Sequence, residues 1–186
     1  MKIENDNPLN EVLEFWFVEL SPEDWYSGVK EVDEEIARRF AGLHKHVAAN
    51  EFWRYRDDSK SLLAEVIVLD QFSRQLFRDS GEAFAYDRQA LSLAQQIIIG
   101  GLEQSFSKDE KQFLYMPFMH SESKAIHVEA LVLFESLGDA ESLKFEKIHK
   151  DIIDRFGRYP HRNESLGRTS TTEEVEYLKE NQESFF

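Results

Sequence analysis

Apolar residues in this chain return at spacings of three and four, and nearly every such run is opened by a cap and closed by a stop. Ile36, Phe40, Leu43 and Val47, at steps of four, three and four, form one stripe with the period of a helix. Asn7-Pro8 reads as an N-cap followed by proline at the first helical position, opening residues 9–17. Residues 21–29, with Pro22, Trp25 and Gly28, read as a loop pinned by an aromatic, and Asp33 as the cap of the second helix. Asp58-Ser59 precedes a third helix over 62–77, and Ser80 starts a fourth that ends at Gly100-Gly101. Ser107 and Glu110 have capping-box spacing, and the helix they open must bend or end at Pro117. Ser121 restarts the chain for a sixth helix, which Gly138 stops.

Asp139 caps a seventh helix, with Phe145, Ile148, Ile152 and Phe156 as its apolar face and Gly157 as its stop. A second capping box, Thr171 with Glu174, opens a last short helix over 175–180. The β-branched runs Val66-Ile67-Val68-Leu69 and Ile97-Ile98-Ile99 lie inside longer helical patterns, so strands are not expected. About eight helices with short connections predict an all-α fold, a compact stack of antiparallel helical hairpins. Residues 1–186 read as a single domain, because 186 residues suit one core and no linker interrupts them. No strict 34-residue repeat is visible.

Composition narrows the partners. A net charge of −14 repels nucleic acid and anionic membrane. The absence of cysteine removes disulfides, thiolate chemistry and cysteine-bound metal. The first ten residues are polar and no apolar run approaches a membrane span, so the expected location is cytoplasmic.

Against that acidic background, Arg155, Arg158, His161, Arg162 and Arg168 fall within fourteen residues. Guanidinium is the planar fork suited to carboxylate and phosphate, and lysine does not replace it. Asp70, Arg74 and Arg78 stand at i, i+4 and i+8 on the third helix, so they are expected to share a face, with Gln71 beside them. In one reading Arg155, Arg158, Arg162 and Arg168 clamp an anion, Arg74 and Arg78 face it across a groove, and His120 and His161 supply titratable donors. The ligand is then a small carboxylate or phosphate, or a peptide's C-terminus. In a second reading the groove is an active site, with His120 or His161 and Asp70 or Glu122 as acid and base. In a third the arginines only satisfy helix ends and pair with some of the 36 acids.

The remaining histidines read as structural. Glu146 and His149 match a single Glu-x-x-His, whereas a di-iron bundle needs two plus further glutamates. His44 and His46 diverge on a helix, and His127 reads as the edge of the core. Aromatic residues near 15–17 and 52–53 are expected inside it. No phosphate loop, dinucleotide fingerprint, nucleophile elbow or metal motif occurs, so no cofactor and no metal are expected. Nothing in the sequence speaks to oligomeric state.

Longer blocks carry a resemblance. Val12-Leu13-Glu14-Phe15-Trp16-Phe17, Leu69-Asp70-Gln71-Phe72-Ser73-Arg74-Gln75-Leu76-Phe77-Arg78 and Ala83-Phe84-Ala85-Tyr86-Asp87 appear in order. They are followed by Phe113-Leu114-Tyr115-Met116-Pro117-Phe118-Met119-His120-Ser121-Glu122 and the segment 155–171. In these the chain resembles the bacterial domain-of-unknown-function family 924. The resemblance implies a tetratricopeptide-like helical fold and no known activity. Ser73 departs from it, standing where the family's proline is expected.

Overall fold

The computed structural model describes residues 7–26 and 28–181, and no strand occurs among them. The helices are α1 (Leu9–Glu14), α2 (Pro22–Trp25), α3 (Lys30–Ala48), α4 (Ser59–Ile67), α5 (Ser73–Leu76) and α6 (Asp87–Ile99). Then follow α7 (Lys108–Met119), α8 (Lys124–Leu137), α9 (Ala140–Phe156) and α10 (Thr172–Glu180). Turns of π-helix extend α1 through Phe15–Glu19 and join α4 to α5 through Val68–Phe72.

The centre of the molecule is the α4–α5 rod. Every residue from 61 to 73 is buried, which requires neighbours on all sides. α1, α6 and α7 pack on α4, and α3 packs on α5. From there consecutive helices cover one another: α6 on α7, α7 on α8, α8 on α9. The connection between α8 and α9 is two residues, Gly138 at φ 67° and Asp139, which leaves the pair antiparallel. Aromatic rings fill the middle: Trp16 stands edge-on to Phe72 and Phe113, at 5.6 and 5.3 Å between centroids. A second, smaller cluster of Ile152, Ile153 and Tyr159, with Phe156 and Tyr177 against it, seats the C-terminal segment.

Several local expectations change. Residues 22–25 form a short helix with a Ser21–Asp24 capping box, not a loop, although Trp25 does pin it by donating to the Trp16 carbonyl at 2.7 Å. α3 begins at Lys30, so Asp33 lies in its first turn and caps nothing. Ser80 caps only a 3-10 turn, and α6 starts later, at Asp87. Pro117 sits inside α7, which ends two residues on. α8 starts at Lys124 rather than at Ser121.

On α9 the buried face is Ser142, Glu146, Ile152 and Ile153, while Phe145 and Ile148 are 47% and 39% exposed. α9 is covered by α8, α7 and the C-terminal segment, so hydrophobic spacing alone does not decide which stripe is covered. Trp53 is 61% exposed, outside the core that Phe15 and Trp16 enter.

Candidate functional site

The π-turn between α4 and α5 places Asp70 and Gln71 side by side at the end of the buried rod. Such one-turn bulges redirect side chains and recur at functional sites. α7 ends at Met119, and the next residue, His120, lies opposite. His120 Nδ1 is 2.8 and 3.0 Å from the two oxygens of Asp70. Gln71 Nε2 donates to the same carboxylate at 2.6 Å, and Arg74 Nη1 stands 3.3 Å from it.

Burial would raise the Asp70 carboxyl, but the charges of Arg74 and His120 outweigh that and hold it below the usual carboxylate range. Burial, then Arg74, pushes the His120 imidazole down, against the pull of Asp70. Near pH 7 the pair is therefore a carboxylate and a neutral imidazole. Its Nδ1–H donates to Asp70, so the lone pair is on Nε2. Nε2 has no hydrogen-bond partner among the described residues, and it is not sealed away from solvent.

Arg74 continues from this pair to Asp87, the first residue of α6, with Nη2 donating at 3.2 Å. Arg162, on the 3-10 turn Pro160–Arg162, donates from Nη1 to the same Asp87 at 3.0 Å. Two of the arginines expected around an anion, Arg74 and Arg162, are thus brought together across a long stretch of sequence. The carboxylate between them is the chain's own.

The other arginines go elsewhere. Arg78 lies beyond the end of α5, so it leaves the face of Arg74 and forks onto Asp33. Arg155 donates to Glu173 at 2.8 Å. Arg158 forks onto Glu174 at 2.7 and 2.8 Å, and Arg168 onto Glu122 at 2.6 and 2.9 Å. Glu122 also accepts from the Tyr159 amide at 2.7 Å, so its oxygens are engaged by two groups. The four arginines of the C-terminal segment therefore do not surround one point. His161 is exposed, its ring 5.4 Å from that of Tyr159.

Sequence reasoning did not single out Asp87 or Tyr159. Tyr159 is wholly buried, donates from its hydroxyl to the Met119 carbonyl, and stands 5.6 Å from the His149 ring and 6.3 Å from the His127 ring. Their only sequence signal is membership of the Phe84-Ala85-Tyr86-Asp87 and Arg158-Tyr159-Pro160 blocks.

His127 is fully buried rather than at the core's edge. It pairs with Glu146 at 2.8 Å and with the Ser121 carbonyl at 2.9 Å. Glu146 is thereby spent on His127 and not on His149, whose Nδ1 donates to the Phe145 carbonyl at 2.8 Å. Among the described residues no group of three or more histidine and carboxylate side chains could hold a metal ion. No described helix is long and apolar enough to cross a membrane. A surface hollow of about 560 Å³ is lined by Asp79, Ser80, Gly81, Glu164 and Ser165 rather than by His120 or Asp70.

Residues 12–182 match the model of a bacterial family described as protein of unknown function, DUF924. A solved structure of a protein of unknown function from Agrobacterium tumefaciens, ATU0120, is similar with a TM-score of 0.88 and 34% identity. That match covers 92% of this chain and 97% of the other. No curated protein matches the chain.

Proposed function

Because the chain belongs to the bacterial family DUF924, a family of unknown function, we propose from the site itself that it is an enzyme moving a proton on a small anionic substrate at His120. One observation carries this reading: His120 is held through Nδ1 by a buried carboxylate, while Nε2 has no partner among the described residues. Asp70 fixes the tautomer and stabilises the imidazolium formed when Nε2 takes a proton. Gln71 and Arg74 hold Asp70 ionised and in place. A neutral histidine near pH 7 is in the state a general base requires. Arg74 and Arg162 supply the positive charge that retains an anionic substrate beside it.

The structural reading retains Arg155, Arg158 and Arg168. Their donors are committed to Glu173, Glu174 and Glu122, which ties the C-terminal segment to α10 and to the end of α7.

The test is a turnover screen with small carboxylate- and phosphate-bearing chromogenic esters on wild type, His120→Gln and Asp70→Asn. Removing the base should lower kcat/KM by about 10²–10⁴-fold, and Asp70→Asn should also move the pH profile. Equal rates in wild type and His120→Gln, or wild-type anion binding with no turnover on any ester, would count against the enzyme.

A further inference from the structure

Two guanidiniums from positions 74 and 162 converge on a single carboxylate, that of Asp87. Arg162 is 6% exposed, and its guanidinium stands 4.5 and 4.6 Å from the centroids of the Phe84 and Tyr159 rings. Rings pack on the face of a guanidinium, which leaves its edge of N–H donors for a planar two-oxygen group.

Asp87 fills this position imperfectly. Arg162 Nε is buried with no partner. Asp87 Oδ1 is 3.1 Å from Arg74 Nη1, yet receives no aligned hydrogen bond. Arg158 with Glu174 and Arg168 with Glu122, by contrast, make full forks. Asp87, held at the first residue of α6, meets Arg162 through one bond only. A carboxylate not tied to a backbone can.

We propose that Arg74 and Arg162 form a carboxylate-binding site that Asp87 occupies in the free protein, and that a small carboxylic acid enters by displacing Asp87. Displacement leaves Asp87 at the N-terminus of a thirteen-residue helix, where a negative side chain is favoured. The side chains of Arg74 and Asp87 are only 21% and 14% exposed, so an acid that reaches them has few atoms. Arg74 also contacts Asp70, which puts the bound acid one side chain from His120. Only in calling that acid the substrate does the inference rest on the acid–base reading above.

Malonate titrated into wild type and Asp87→Asn by calorimetry tests the site. An internal competitor weakens apparent affinity by the fraction of time it occupies the site, so its neutralisation should tighten malonate binding by about tenfold or more. The gain should vanish in the Asp87→Asn/Arg162→Gln double variant. No gain in Asp87→Asn, a gain that survives loss of Arg162, or tighter binding of inorganic phosphate than of malonate overturns the assignment. Should Asp87→Asn fail to fold, the wild-type Asp87 ¹³C carboxyl resonance decides: malonate must move it toward that of a solvated aspartate, and an unmoved signal overturns the assignment.

The two readings fail separately. A gain in Asp87→Asn without turnover in any variant sinks the acid–base reading alone. Turnover abolished by His120→Gln with no gain in Asp87→Asn sinks this one alone.

Discussion

Glu65 has no exposed side-chain surface, and its oxygens accept from Nε and Nη2 of Arg56 at 2.8 and 2.6 Å. Removing the cation leaves an unpaired charge in the core, so Arg56→Gln should cost about 3–5 kcal/mol in urea unfolding. The solvent-facing Arg38–Glu35 pair, with its arginine 68% exposed, is the control; Arg38→Gln should leave the urea midpoint nearly unchanged. Ser73 shows the same economy of partners. Its hydroxyl donates to the Leu69 carbonyl at 2.7 Å, and therefore accepts from Nε2–H of His44 at 2.8 Å. A residue read as a local departure from the family pattern thus sets the tautomer of a buried histidine.

Among the helices, caps and stops were the most legible feature. The Ser107–Glu110 and Thr171–Glu174 boxes, the Asp139 cap and the left-handed glycines 138 and 157 all stand where their spacing places them. Asp139 accepts from the Ser142 amide at 2.8 Å and from Lys108 at 3.1 Å. The Ser142 backbone bond, then the Ser142 side chain and Lys108, lower its carboxyl to about 2. Asp139→Ala should destabilise the protein by about 1 kcal/mol near neutrality. Because the folded value is depressed, the cap's contribution is present above the unfolded value near 3.8 and lost as pH falls toward 2. Unfolding curves of wild type and variant should therefore converge across that window, and a gap that persists at pH 2 contradicts the assignment. The π-turns left no such mark: an extra residue in a helical turn leaves local spacing nearly unchanged, although it is what presents Asp70 to His120.

For the molecule as a whole, the acid limb of stability belongs to the histidines. Burial lowers His44, His120 and His149, the last to about 4, with Arg74 adding to the effect at His120. The unfolded chain then binds protons below its ordinary value of 6.5 that the folded chain refuses, so stability is complete above 6.5 and declines as pH falls toward 4. Glu146, raised by burial against His127, acts with the opposite sign, its contribution being lost as pH rises through its folded value. The lowered histidines outnumber Glu146, which predicts a thermal midpoint that drops by several degrees between pH 7 and pH 5, and His44→Gln should flatten that slope. A midpoint flat over this range would show that these imidazoles titrate normally.

What belonged to the sequence alone was helical: period, caps and stops act within a few residues, so they determine that this chain is all-α and where most helices begin and end. Which arginine meets which acid was settled at longer range. Arg162 and Asp87 are 75 positions apart, and His120 and Asp70 are 50. A guanidinium pairs with whichever carboxylate the packed helices bring to its edge. The residue types were written in the chain, but only the docking of α7 on α4 and of the C-terminal segment on α9, on Asp87 of α6 and on the end of α7 chose their partners.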